Sequence, residues 1–511
     1  MIEQITKIND FLNHWSWLIG LIFLLAAGVL MTTLIKVFQV SHIGHWFKTT
    51  AGSLFKKKKT ADGKNISQFQ ALCTALAATV GTGNIVGVAT AIIVGGPGAI
   101  FWMWVAAFLG MALKFSEIIL GIYFRRRNTA GEWSGGAMYY LTDGLGKKKG
   151  MGMVGKILAV LFAIFTILAS FGIGNMSQVD SITENISNTF FANNTLGTIA
   201  GVETINWIIG LALVVIVGLI VVGGLKRLAA VAEMVVPFMA GFYIIGSIII
   251  LAVNAKMIPA VFGSIFSHAF NTQAVEGGIV GLITVVLLNG CKRGVFSNEA
   301  GLGSAVMVHS SAEVKEPVKQ GMWGIFEVFM DTFVICTMSA LVMLSSGLVD
   351  LDTVNLDQVV KIGGEFITSD DKALLAPAAF GQTFGQFGEI FVAIAMFFFA
   401  FTTVLGWSQY GAKAVEYLGG VKAAKVYKVI FVLMTISGAL MTSSLAWDIS
   451  DTFNALMMIP NLIAVIVLSP LVAKLTKNYV DRRIKGKKDV APMLSYDPEI
   501  QKEMEQDLYK D

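Results

Sequence analysis

Two stretches decide how this chain folds: Thr79-Val80-Gly81-Thr82-Gly83-Asn84, and Asn289-Gly290-Cys291-Lys292-Arg293-Gly294-Val295-Phe296-Ser297-Asn298-Glu299-Ala300-Gly301-Leu302-Gly303-Ser304. Each lies inside an apolar run long enough to cross a bilayer, which takes roughly 20 residues of helix. Glycine loosens a helix, and charge at that depth is costly and usually functional. Backbone that leaves the helix inside a membrane survives only within protein or beside a water-filled cavity. Close packing through small residues accounts well for Gly87 alone. It accounts poorly for Gly81 to Asn84 taken with Ser297 to Gly303.

The rest of the chain agrees with a membrane setting. Of 511 residues, 55% are hydrophobic and 14% charged, and the mean hydropathy is +0.70. Soluble domains run near a quarter charged, so a soluble multidomain enzyme is excluded. With 9 Pro and 3 Cys, collagen-like and disulfide-stapled classes are excluded too. Eleven apolar runs fall near 16–38, 68–93, 98–122, 152–176, 204–224, 228–253, 277–310, 319–346, 383–410, 426–445 and 449–474. The first is too long for a cleavable signal peptide, follows a neutral start and has no small-residue cleavage site after it.

Lys and Arg set the orientation. Alternate loops carry 29 of them, from Lys48, Lys56 to Lys59 and Lys64 through to nine in the segment from Lys474 to Lys510, while the intervening loops carry only Lys7, Lys256, Lys361 and Lys372. This alternation predicts a multi-pass protein of the plasma (inner) membrane with its N-terminus outside and its C-terminus in the cytoplasm. The acidic segments Asp180 to Glu203 and Asp350 to Asp371 then lie outside. Lys56 to Lys59 would fix topology and touch anionic lipid.

The two interrupted runs are the second and the seventh. They therefore start two sets of five with opposite membrane directions, the footprint of an inverted-repeat transporter with a midplane site. The predicted fold class is an all-α polytopic membrane protein of 11 transmembrane helices, an inverted 5+5 repeat plus one extra N-terminal helix. Its segments are 1–66, 67–253, 254–475 and a cytoplasmic tail at 476–511.

A broken helix offers chemistry. The N-terminal end of a half-helix is partly positive and attracts a carboxylate, while freed carbonyls suit a small cation. Together they suit a zwitterion travelling with a cation, namely an amino acid with Na⁺. A hard cation wants oxygen, and the ninth run supplies adjacent hydroxyls at Thr402 and Thr403, although either can bond back to its own helix. Trp407, one turn on, and Phe296 are candidate walls that would favour small side chains; Trp407 reads equally well as an interfacial aromatic.

Other polar residues are read more plainly. Lys114 and Glu117, a turn apart, read as a structural ion pair. Lys292, Arg293 and Glu299 pair with one another or face the inner vestibule, direct substrate contact by Arg293 being the alternative, and Asp331 is the candidate if protons drive transport. Cys73, Cys291 and Cys336 read as small buried residues. The five His form no ligand cluster, and His42 and His45 read as surface residues.

Three motifs carry a family resemblance. Gly95-Gly96-Pro97-Gly98-Ala99-Ile100-Phe101-Trp102-Met103-Trp104, running on to Gly110, resembles a signature of the alanine/glycine:cation (sodium:alanine) symporter family. Arg293 to Ser304 resembles a second motif and Trp407-Ser408-Gln409-Tyr410-Gly411 a third, the likeness spanning roughly residues 65 to 475. Val306 departs from the family pattern, where Pro is expected. The resemblance implies the leucine-transporter-type fold and Na⁺-coupled uptake of alanine or glycine. It implies a cation held by backbone oxygens near Ala77 and Val80 with the hydroxyls of Thr402 and Thr403. It also implies a substrate carboxylate at the amides of Gly81 to Gly83, and a pocket shaped by Thr79, Thr82, Asn84, Ser297 and Asn298.

The expected partners are thus a small neutral amino acid, Na⁺ as coupling ion and the lipid bilayer. No cofactor, nucleic acid or obligate protein partner is expected. No Gly-x-x-x-x-Gly-Lys-Ser/Thr loop is present for a nucleotide. A channel would need a continuous polar path and an enzyme a catalytic constellation; the polar residues cluster instead at the two interruptions. A proton-coupled carrier, or one for another small amino acid, is the alternative.

Overall fold

The computed structural model describes residues 2–53, 65–191, 196–199, 201–270, 278–353, 358–368, 371–440 and 443–508. Lys56 to Lys59, Lys64, Lys510, Asp357 and Asp370, used above for orientation, lie outside them. The described chain is almost wholly helical, with three two-residue antiparallel ribbons in its loops.

The main helices are α1 (Ile2–Leu34), α2 (Gln68–Thr79), α3 (Val86–Gly95), α4 (Ala99–Tyr123), α5 (Gly152–Phe171), α6 (Ser177–Phe190), α7 (Thr204–Val221) and α8 (Gly224–Val253). They continue with α9 (Gly278–Asn298), α10 (Val306–His309), α11 (Pro317–Val328), α12 (Thr337–Ser345), α13 (Gln386–Leu440) and α14 (Ser443–Val467). Among the described residues, eight helices are long and apolar enough to cross a membrane.

α2 starts on a capping box: the Ser67 hydroxyl accepts from the Gln70 amide, and the Gln70 side chain accepts from the Ser67 amide, both at 3.0 Å. Only together do α2 and α3 reach a span's length. α13 has 55 residues, about 80 Å of helix against a hydrocarbon core of about 30 Å. It turns at Gly420, whose φ of 76° is left-handed and suits glycine. The sequence places a loop at 411–425; the helix instead runs unbroken to Gly419 and resumes directly. Its stretch from Trp407 to Ala414 is buried throughout, so packing sustains helix where a loop was expected.

α4 is the centre of the bundle. Its most apolar window is 83% buried, against 33% for α7 and for α8. It packs on α1, α9 and α11, and α13 packs on α2, α5, α6 and α7. The outer faces of α7 and α8 leave Leu211, Val215, Leu219, Phe238 and Ile245 exposed, as lipid-facing surfaces require. α5 runs into α6 through a wide π turn at Gly172–Met176, and α11 into α12 through another at Phe329–Cys336. Asp180, expected to start an acidic segment outside, lies buried on α6.

Candidate functional site

α2 ends because Val80 turns extended (φ −80°, ψ 90°) and Gly81 follows (φ −137°, ψ −149°) before the chain re-enters helix at Val86. Buried amides freed in this way need partners. The Gly81 N–H donates to Asn84 Oδ1 at 2.9 Å and the Thr82 N–H to Gln178 Oε1 at 3.3 Å. A Cβ at Gly81 would run into the Thr403 hydroxyl, and one at Gly83 would lie 3.1 Å from Ser297 Cα and 3.3 Å from the Phe296 ring.

The second interruption is thereby located: it faces the first. α9 stops at Asn298, and Glu299 takes φ 56°, followed by Gly301 (87°) and Gly303 (72°). A left-handed non-glycine residue costs on the order of 1–2 kcal/mol and persists only when its surroundings fix it. Here they do. Trp407 Nε1 donates to one Glu299 carboxylate oxygen at 2.8 Å, and the Ser304 hydroxyl to the other at 2.6 Å. The Asn298 carbonyl accepts from Lys114 Nζ at 2.7 Å, its Oδ1 accepts from the Ala300 amide at 2.9 Å, and its Nδ2 donates to the Thr332 hydroxyl at 3.1 Å. Asn461 closes the turn by donating to the Gly301 carbonyl at 2.8 Å.

Asp331 joins the two openings. It sits on the π turn between α11 and α12, fully buried. Its carboxylate accepts from Asn84 Nδ2 at 2.7 Å, from the Ser297 hydroxyl at 3.1 and 2.9 Å, and from the Thr332 hydroxyl at 2.8 Å. Cys336 Sγ lies 3.3 Å from Asn84 Nδ2 and 3.2 Å from Ser297 Oγ. π turns often mark functional sites because they re-aim side chains inside a helix.

The paired threonines divide. Thr403 Oγ1 donates to Phe399 O at 3.0 Å and reaches Val80 O, across the first opening, at 3.4 Å. Thr402 Oγ1 donates to Phe398 O at 2.9 Å and Phe399 O at 3.1 Å and faces Met239 on α8. Ala77 is buried on α2; the Thr79 hydroxyl bonds back to Ala75 O at 3.2 Å. The Trp407 ring is buried, packs where Gly174 leaves no room for a Cβ, and meets Tyr410 edge-on at 5.2 Å. Thr82 Oγ1 is buried and has no hydrogen-bond partner among the described residues.

Several charged residues depart from the sequence reading. Lys114 pairs with Glu327 at 2.7 Å, not with Glu117. Glu117 instead accepts from Asn461 at 2.5 Å, because α11 brings an acid to Lys114 that no local spacing reveals. Glu327 also takes His309 Nε2 at 3.0 Å. Lys292 and Arg293 pair with neither each other nor Glu299 but turn to Asp451, at 2.6 and 3.7 Å. His42 stacks on Phe38 and His45 bonds Tyr479 Oη at 3.2 Å, so both are partly covered. Gln178, Asn461 and Glu327 were missed as contributors. Asn461 and Glu327 show only as isolated polar residues in apolar runs, and Gln178 only as one of the polar residues that follow the fourth run.

One cavity lies at the first turn of α8, a helix of 30 residues, and another lies past its last residue. One, of about 230 Å³, is lined by Asn65, Trp133, Lys226, Ser311 and Lys413; the other, of about 670 Å³, by Met257, Ser264, His268 and Asp350.

The sequence model of the sodium:alanine symporter family matches residues 2–493. The chain is 39% identical over 482 residues to the sodium/alanine symporter AgcS of Methanococcus maripaludis, covering 94% of this chain and 98% of that one. It is 34% identical to the amino-acid carrier protein AlsT of Bacillus subtilis, covering 94% and 92%. It is also 34% identical to the probable sodium/glutamine symporter GlnT of the same organism, covering 96% and 93%. Among solved structures, MhsT in complex with L-phenylalanine aligns at a TM-score of 0.54 over 81% of this chain and 98% of that one, at 12% identity. That likeness concerns the fold alone.

Proposed function

Since the chain belongs to the sodium:alanine symporter family, we propose that it takes up small neutral amino acids, alanine and glycine, together with Na⁺ by alternating access. The family and the apolar helices make it a multi-pass membrane amino-acid transporter and not an enzyme. The reading extends to eleven transmembrane helices, with α1 added before two inverted sets of five. Its segments are 1–66, 67–253, 254–475 and 476–511, with the N-terminus outside and the C-terminus in the cytoplasm; the 29-to-4 division of basic residues supports this.

One observation carries the reading: the two interruptions meet, Gly83 against Ser297 and Phe296, with Thr403 reaching the Val80 carbonyl. In this proposal Na⁺ takes oxygens from Ala77, Val80, Thr402 and Thr403, Thr402 rotating away from Met239. The substrate carboxylate meets the amides of Gly81 to Gly83, released from the Asn84 and Gln178 side chains. Thr79, Thr82, Asn84, Phe296, Ser297, Asn298 and Trp407 enclose the rest. The closeness of Gly83 to Ser297 and of Gly174 to Trp407 supports a small side chain.

Na⁺ that orders this junction raises amino-acid affinity, and the amino acid raises Na⁺ affinity by the same factor. One charge crossing 100 mV supplies about 2.3 kcal/mol and a tenfold gradient about 1.4 kcal/mol. Together they sustain roughly 500-fold accumulation at one Na⁺ per neutral solute.

The test is labelled alanine uptake into proteoliposomes under an inward Na⁺ gradient. Uphill, saturable uptake that vanishes when choline replaces Na⁺ at fixed pH is expected. Uphill uptake persisting in choline would assign coupling to protons, with Asp331 as the residue to examine.

A further inference from the structure

Trp133 stands where several segments meet at one end of the bundle. Its ring lies between two guanidinium groups, Arg125 at 4.0 Å and Arg127 at 4.2 Å. Its N–H donates to Asn65 Oδ1, just before α2, at 3.5 Å, and its carbonyl accepts from Lys413 Nζ of α13 at 3.3 Å. Arg125, buried just past α4, donates to the carbonyls of Ser310, Ala312 and Val314 at 3.1, 2.7 and 2.6 Å. Those carbonyls follow α10, and the Glu313 N–H donates to Ile66 O at 2.9 Å. The near ends of α2, α4, α10 and α13 thus converge on one side chain. On α10 and α13, between the openings and this end, His309 and Tyr410 are wholly buried.

The chain's last described segment covers this knot. Residues 485–489 are exposed and lead to α15 (Pro498–Leu508). Asp497 caps that helix, its Oδ1 accepting from the Glu499 and Ile500 amides at 2.9 and 3.2 Å. Gln501 Oε1 accepts from the Leu494 and Ser495 amides at 2.8 and 2.9 Å, which folds the segment onto its own helix. The Tyr496 N–H donates to Tyr123 O at 2.9 Å, and Glu503 pairs with Arg127 at 2.8 Å. Leu494, Ile500 and Met504 close on Trp133 as a cluster apart from the main core. Small units with few buried apolar contacts open most readily. We propose that residues 493–508 form a strap that holds the exit on this face shut through Trp133 and lets go each time the carrier opens there. The inference rests on the transport reading and on the cytoplasmic placing of this face. An amino acid leaving the junction of the openings this way has to part α2 from 310–314 and from α13, and Trp133 is tied to all three. Holding the strap down therefore stops the cycle after binding, and leaves binding itself intact.

The test bridges the strap in the full chain. R127C with E503C is joined in detergent by a bis-methanethiosulfonate reagent, reconstituted into proteoliposomes, and later freed with dithiothreitol. R127C and E503C alone, treated alike, set the level that the reagent causes without a bridge. Alanine uptake under a Na⁺ gradient is expected to fall at least tenfold while bridged and to return on reduction, with the Kd for alanine in Na⁺ within threefold of wild type. The converse variant, M504D, drives a charge against Trp133 and lifts the strap. Ser311, which is buried and lines the 230 Å³ cavity beside Trp133, supplies the reporter for it: S311C should react with a hydrophilic maleimide at least threefold faster when M504D is present, because the open population grows. This second measurement decides the matter where the pair is not bridged. Uptake in the bridged chain as fast as in the untreated one overturns the strap. So does loss of alanine binding along with uptake, which makes the bridge a distortion of the central site, and so does S311C labelling that M504D leaves unchanged. Wild-type protein that takes up no alanine would instead remove the transport reading itself.

Discussion

At 80–85 the chain leaves the helix through glycine and neutral side chains, whereas at 299–305 it leaves through a buried carboxylate held in a left-handed turn. The first opening is lightly tied: the Asn84 and Gln178 side chains hold its amides. The second is pinned from three sides, by Trp407 and Ser304 on Glu299, by Lys114 on Asn298, and by Asn461 on Gly301. One opening is thus suited to exchanging partners and the other to staying put, a division that suits a site whose ligands come and go against a fixed wall.

Breaking the pinned side carries the largest effect. Lys114→Met leaves Glu327 buried without its cation and strips the Asn298 carbonyl of its donor. Losing one partner of such a pair costs about 3–5 kcal/mol, so thermal unfolding in detergent should show a clear drop in melting temperature. A melting temperature equal to wild type would mean that the second opening does not depend on this anchor.

On the exchanging side, function should suffer more than stability. Gly81→Ala drives a methyl into the Thr403 hydroxyl. Displacing that hydroxyl should lower alanine uptake roughly 10- to 100-fold, while the overpacking of about 1–3 kcal/mol lowers the melting temperature less than Lys114→Met does. Normal uptake would remove Gly81 from the site.

The threonines sharpen the same contrast. Thr403→Ala should raise the half-saturating Na⁺ concentration about tenfold, as expected for one lost ion-to-oxygen contact. Thr402→Ala, whose hydroxyl faces Met239, should raise it less, by roughly threefold. Equal effects would give both hydroxyls the same role, and wild-type Na⁺ dependence in both would remove them from the cation site. The smallest effect belongs to Glu299→Gln, whose amide still accepts from Trp407 and can donate to the Ser304 oxygen; uptake should stay within about threefold of wild type. A far larger loss would mean that the charge of Glu299, not its hydrogen bonds, holds the turn.

Much of this was legible in the chain because glycine, asparagine and charge inside apolar runs conflict with a plain lipid-facing helix. Gly81 to Asn84 and Ser297 to Gly303 announced themselves in that way. What stayed hidden depends on partners remote in sequence. Nothing near Lys114 points to Glu327, and nothing near Glu299 points to Trp407. The π turns at Gly172–Met176 and Phe329–Cys336 were hidden as well, since one wide turn barely disturbs the apolar pattern. The division between Thr402 and Thr403 was beyond a sequence reading: adjacent residues on a helix point about 100° apart, and only the position of α8 decides which one faces the opening.

The central claim is that an amino acid and Na⁺ are held where the two interruptions face each other. A density map of the full chain with alanine and Na⁺ tests it most directly. The account expects alanine density against the amides of Gly81 to Gly83, bounded by Ser297 and Phe296, and an ion beside the Val80 carbonyl and Thr403. Alanine bound elsewhere, or α2 wound continuously into α3 with the ligand present, would contradict it.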